Sequence, residues 1–208
     1  MKEMVKKLIE NKSFAFMDPL SIKNRYDVIE KITDKEYSLF LKENNGGYFF
    51  KNAIHIYGTS ENYLYHDILF INRLIHDLYG KLALGFFFAE DVFGNLFGFI
   101  DKNIIYFNIE TAEKTKIADS FTDWAAVLIE NIDYYTAYSF LETLDAVSIK
   151  QLTEGKRLSP KMPFILGGEY ELKNLILKDY RKNLMFNASI AIQIHDLPDG
   201  TKVKIKIE

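Results

Sequence analysis

Few residues in this chain have the type and spacing that chemistry needs. Its four histidines, His55, His66, His76 and His195, stand apart, and no HExxH or HxH pair joins any two of them into a metal-ligand motif. Were His66 and His76 on one helix, ten residues would turn them about 80° from each other. No serine sits in a GxSxG elbow, so the signature of an α/β-hydrolase nucleophile is missing. Neither GxxxxGK[ST] nor GxGxxG occurs, which removes the usual phosphate cradles; Gly46-Gly47 and Gly167-Gly168 read as turns. With no cysteine there is no thiol nucleophile, thiolate site or disulfide. Glu90-Asp91 closes an apolar run, a place where catalytic carboxylates often stand. Neighbours on a strand point to opposite faces, however, so these two form no dyad without a bulge. No residue set calls for a cofactor or metal.

The elements that would position these groups follow from periodicity. Met4, Val5, Leu8 and Ile9 share one face of a helix expected to end before Asp18-Pro19. Thr33-Asp34-Lys35-Glu36 is a capping box ahead of the stripe Tyr37, Phe40 and Leu41, and Asn44-Asn45-Gly46-Gly47 ends that helix. A further helix is expected over 67–79. Tyr48–Tyr57 reads as one extended run, and Leu82–Glu90, Leu96–Asp101 and Ile104–Asn108 as a meander, with a short strand at Thr115–Ala118. From Asp119-Ser120 a long helix places Phe121, Trp124, Leu128, Ile132 and Tyr135 on one side, with a shift of pattern near Tyr138. Trp124 and Phe40, each central to its stripe, are expected to be buried. A linker over 148–163, a strand at Leu175–Lys178, a helix from Asn187 to Leu197 and a terminal strand with Val203, Ile205 and Ile207 inward complete the chain. The organisation expected is a core over residues 1–147 and, over 148–208, a linker and C-terminal strand-helix-strand extension that docks on it.

Charge is distributed unevenly. The net charge of −3 conceals a middle segment, residues 86–145, that carries 11 acidic and 3 basic side chains between mildly basic flanks. There is no basic footprint for nucleic acid. The most apolar stretch, Leu82–Ala89, falls far short of the roughly 20 residues that a spanning helix needs. The N-terminus carries charges and no apolar targeting region, so a cytoplasmic location is expected.

Three stretches carry a family resemblance. Asp34–Gly47 (DKEYSLFLKENNGG), an aromatic-x-x-Phe-Leu helix running into Asn-Gly-Gly, resembles the signature of the SUKH superfamily, which groups fungal regulators of cell-wall synthesis with many bacterial immunity proteins. Phe88–Asn95 is similar to its mid-sheet hairpin, and Asp119-Ser120-Phe121-Thr122-Asp123-Trp124 to its closing helix start. Ile32-Thr33 stands where the family commonly has Leu-Pro. The resemblance implies an α+β fold, with a twisted, mainly antiparallel sheet and helices packed around it, and it implies no catalytic set. As function it implies an immunity protein that binds and neutralises a cognate protein toxin, such as a nuclease or deaminase. A housekeeping regulatory or scaffold protein of the same superfamily, and an enzyme with a non-sequential site, remain the alternatives. For a basic partner the acidic segment offers Glu90, Asp91, Asp101 and Glu110 at strand ends and turns, with Tyr48, Phe49 and Tyr57 as aromatic anchors if exposed.

Overall fold

The computed structural model describes residues 1–16, 26–198 and 200–206. Seven strands form one antiparallel sheet in sequential order: β1 (Lys12–Phe14), β2 (Gly47–Phe49), β3 (Ile54–Ile56), β4 (Phe86–Asp91), β5 (Leu96–Ile100), β6 (Asn103–Phe107) and β7 (Lys114–Ala118). Helices cover both faces, giving the α+β architecture expected from the sequence. Successive side chains of β4 alternate between them. Phe88 meets Tyr37, Phe121 and Trp124 on one face, whereas Phe87 meets Phe107 and His76 on the other. The first face is covered by α1 (Glu3–Glu10), α3 (Lys35–Asn44) and α5 (Phe121–Glu130), with the single turn α2 (Tyr26–Ile29) between the first two in sequence. The second is covered by α4 (Ile68–Tyr79).

Two polar side chains, half-buried Asp34 and buried Asn72, explain how these layers are joined. Asp34, not Thr33, caps α3: one carboxylate oxygen accepts from the Tyr37 N–H at 2.9 Å and the other from the Phe121 N–H at 2.9 Å, so a single anion serves two helix N-termini. The Asn72 amide of α4 both donates to and accepts from the Phe87 backbone, each at 2.7 Å. It thereby completes the strand where the β4–β5 register slips between Phe87 and Ala89. After α3 the chain turns through Asn45 in the left-handed region, and a Cβ on Gly46 would lie 2.3 Å from the Ile56 carbonyl oxygen. Only glycine permits that approach.

Several sequence expectations shift. The run Tyr48–Tyr57 is a hairpin, because Phe50, Lys51 and Asn52 adopt positive φ and split it. Residues Gly80–Ala83 form a 3-10 turn, and the strand begins only at Phe86. The first helix ends at Glu10, where β1 follows; Asp18-Pro19 lies outside the described residues. The long helix breaks at Asn131 and at left-handed Ala137 into α5, α6 (Ile132–Thr136) and α7 (Tyr138–Leu141). The expected linker holds α8 (Ala146–Thr153) and β8 (Lys156–Pro160), which pairs antiparallel with β9 (Leu175–Asp179). From β9 the chain enters α9 (Tyr180–Ile194), whose Leu184, Ala188 and Ala191 belong to the main core. Residues 201–206 form no strand: Val203 is exposed, and the Lys206 backbone pairs with the Gln193 amide instead. The outer strands of the sheet, β1 and β7, do not pair with this segment, and Ile207 lies outside the described residues. Among the described residues no helix is long and apolar enough to cross a membrane.

Candidate functional site

The histidines that looked scattered meet across the sheet. Strand register sets Tyr48 opposite His55 and His55 opposite Glu90, so three side chains share one row. His66 comes in from the turn before α4. The result is a chain of contacts: Glu90 Oε1 to His55 Nδ1 at 2.9 Å, His55 Nε2 to His66 Nδ1 at 2.9 Å, and His66 Nε2 to the Asn45 carbonyl at 3.0 Å. Tyr48 stacks on His55 at 4.1 Å between centroids, and Phe16 on His66 at 3.8 Å. All four polar side chains of the centre, Glu90, His55, His66 and Arg157, are buried.

Counting protons assigns the role of Arg157. Three links joining two acceptor ends need three protons, and two neutral imidazoles supply two. With His66 donating to Asn45 and His55 donating to His66, His55 Nδ1 and Glu90 are left as facing acceptors. Arg157, reaching in from β8, donates to Glu90 and, at 3.1 Å, to His55 Nδ1. The guanidinium provides the missing donor and neutralises the carboxylate. Charges follow from this arrangement. Burial would raise the Glu90 carboxyl, but the adjacent guanidinium holds it down at about 2. Burial pushes His55 down to about 4, with the Arg157 charge adding to the depression, and pushes His66 well below the usual range, with His55 contributing. Both imidazoles are neutral at pH 7.

The four acidic residues expected at a partner surface part company. Glu90 is only 2% exposed and belongs to the centre just described. Asp91, also buried, points the other way, as strand alternation requires. Its carboxylate accepts from the Phe93 and Asn95 N–H groups and the Asn95 amide, closing the β4–β5 turn. Burial pushes it up to about 7 against those donors. Glu110 is buried too and accepts from the Phe164 and Ile165 N–H groups, tying the extension to the β6–β7 connection. The expectation of exposure is therefore corrected for these three, whose carboxylates serve internal donors. Only Asp101, at a left-handed position in the β5–β6 turn, is exposed. Tyr48, Phe49 and Tyr57 are core residues, not surface anchors.

What the middle segment does expose is a different set. Eight carboxylates are exposed there, Glu113, Glu130 and Asp133 among them, against Lys102, Lys114 and Lys116. Two of the eight are paired, Asp119 with Lys116 and Glu142 with Lys51. Tyr134 is 84% exposed beside Tyr135 and Tyr106, around a hollow of about 330 Å³ that Glu113 also lines. A second hollow of about 320 Å³, between Asn95, Glu110, Phe164 and Asn187, shares Asn108 and Glu113 with the first. Sequence reasoning missed Tyr134 because the helical stripe picked out only its neighbour Tyr135. Its signal was the side-by-side Tyr134-Tyr135 pair, of which one helix face can bury only one.

The histidine pair gives the fold a pH dependence whose sign can be worked out. His55 and His66 are neutral when folded but take protons below about 6.5 when unfolded, so their contribution is full above that value and lost as pH falls toward 4. Asp91 runs the other way: its contribution is full below its unfolded value of 3.8 and is lost as pH rises toward 7. Glu110, also raised by burial, acts in the same sense as Asp91, so the two carboxyls oppose the loss from the two imidazoles as pH falls. Glu90 adds to the loss below its unfolded value of 4.5. Imidazole ring NMR of the folded protein checks the histidine part directly: neither His55 nor His66 should titrate between pH 7.5 and 5.5, and a ring that takes a proton near 6.5 would contradict neutral buried imidazoles.

Comparison with known proteins adds the following. Residues 34–126 match the model of the SMI1 / KNR4 family (SUKH-1). That span runs from the helix cap at Asp34 to α5, through the sheet strands β2–β7. No curated protein is significantly similar in sequence. Among solved structures, the crystal structure of Atu4351 from Agrobacterium tumefaciens is similar with a TM-score of 0.50 at 17% identity, over 90% of this chain and 88% of that one. That likeness is one of fold, and its reach takes in most of the extension as well as the family core.

Proposed function

Since residues 34–126 place this chain in the SUKH superfamily, which includes toxin-immunity proteins, we propose that it is a non-catalytic immunity protein acting in the cytoplasm. It neutralises a basic protein toxin by covering it. The observation that carries this reading is the exposed charge of the middle segment, eight carboxylates of which two are paired with lysines, together with a bare tyrosine beside Glu113. Acidic charge steers a basic partner into place and raises the association rate, and exposed tyrosines supply affinity once it docks. A nuclease or deaminase carries positive charge for its own nucleic-acid substrate, so the same acidic face would compete for that cleft. Asp91 supports the Tyr106 side of this hollow and Glu110 lines the adjoining one, whereas Glu90 belongs to the buried histidine centre. The buried imidazoles suit this role better than catalysis, because Tyr48 and Phe16 lie flat against them.

The test is co-expression with the product of the neighbouring gene. A stable complex that protects cells from that product is expected. An equally toxic product in the presence of this protein, with no complex on gel filtration, would overturn the reading.

A further inference from the structure

The hollow beside Tyr134 has the construction of a cation receptor. Tyr106 of β6 and Tyr135 of α6 lie 5.9 Å apart at 65°, and Tyr134 stands at 88° to Tyr135 with centroids 5.0 Å apart. All three rings line one space of about 330 Å³, with Tyr135 edge-to-face with each of the others. The hydroxyl of Tyr106 reaches Asp91 at 3.4 Å, which fixes that wall to the hairpin turn. Glu113 lines the same space from the entrance of β7. Strand alternation is decisive for the charge: Glu113, Thr115 and Ile117 line the hollow, so Lys114 and Lys116 are turned to the other face of β7, where Lys116 pairs with Asp119. Asp133 adds an exposed carboxylate on the helix that carries both outer tyrosines. The cavity next to it is lined by Asn187, whose amide nitrogen turns back onto Asn183 while its buried carbonyl oxygen has no partner among the described groups. Within the tyrosine hollow itself, rings and carboxylate favour the same occupant, a cation.

We propose that Tyr106, Tyr134 and Tyr135, with Glu113, form an aromatic cage that takes an arginine side chain presented by the protein partner. The inference rests on the toxin-binding reading for the origin of that side chain, and its own chemistry is independent of the toxin. A guanidinium over tyrosine faces is held by the ring quadrupole, gains from partial desolvation, and pairs with a carboxylate at the rim. Arginine fits better than lysine because its plane can stack on one ring while its edge donates to Glu113.

The experiment is an amide NMR titration of the whole protein with hexa-arginine amide, hexa-lysine amide and tetramethylammonium. Shifts confined to Glu113, Tyr134, Tyr135 and their neighbours are expected, with hexa-arginine the tightest. Tyr134→Phe, which keeps the π face, should bind as the wild type does. Tyr134→Leu, equally exposed and harmless to the fold, should bind about fivefold to tenfold more weakly. Shifts spread over every exposed carboxylate, or a Tyr134→Leu protein that binds unchanged, would overturn the cage. A response to tetramethylammonium alone would assign the hollow to a small free cation instead and overturn the protein-borne occupant. Because no toxin is needed, failure here leaves the toxin-binding reading standing, and a clean titration with no toxin complex would reject only that reading.

Discussion

Arg157→Met lowers the unfolding free energy by about 3–5 kcal/mol at pH 7, the cost of leaving a buried carboxylate without its partner. Glu90 and Arg157 are both buried, and burial of an unpaired ion is what makes the single substitution severe. The effect has a pH signature that a packing defect lacks. With the guanidinium gone, the chain of acceptors from Glu90 to Asn45 is one proton short, and the cheapest source is the solvent. His55 then takes the proton, so its pKa rises from about 4 and an imidazolium replaces the guanidinium beside Glu90. The destabilisation should therefore shrink as pH falls through the raised value, and the His55 ring should titrate by NMR in the variant. A double variant, Glu90→Leu with Arg157→Met, should recover much of the loss, because it removes both charges together. A full loss that persists in the double variant, with His55 unchanged, would show that packing alone is at stake.

Trp124→Ala costs about 3–5 kcal/mol, the range for truncating a buried aromatic side chain. Trp124 is fully buried, edge-on to Phe88 at 4.9 Å and to Phe97 at 5.6 Å, and stacked on Phe121 at 5.2 Å. It joins α5 to the two central strands of the sheet. Its indole N–H is buried with no partner among the described groups, so Trp124→Phe gives up volume but no hydrogen bond. That variant should lose under about 2 kcal/mol. Chemical denaturation of both variants measures the pair, and an unchanged midpoint for Trp124→Ala would refute the core assignment.

Patterns that repeat within one element were legible in the sequence. The stripe Tyr37, Phe40 and Leu41 is buried, the chain does turn at Asn45-Gly46, and the strands of the meander fall within a residue or two of where alternation put them, apart from the late start at Phe86. Interactions between distant segments were not. Glu90 meets a histidine 35 residues before it and an arginine 67 residues after it, and no local spacing encodes either. His55, set between Ile54 and Ile56 in an apolar run, did carry a signal of burial. Charge counting misled for a related reason: it treats each carboxylate as a surface charge, whereas Glu90, Asp91 and Glu110 satisfy buried donors. The terminal alternation of Val203 and Ile205 describes a strand only if the segment pairs with a sheet edge, and periodicity carries no information about whether that pairing forms.

The account stands or falls on binding at the acidic, tyrosine-bearing face. The direct measurement is the dissociation constant for the neighbouring gene's product, taken at low and at physiological salt, for the wild type and for Glu113→Lys combined with Tyr134→Ala. Both positions are exposed, so the variant folds. The account predicts tight, salt-sensitive binding by the wild type, weakened by about tenfold or more in the variant. Equal affinities at both salt concentrations for the two proteins would contradict it.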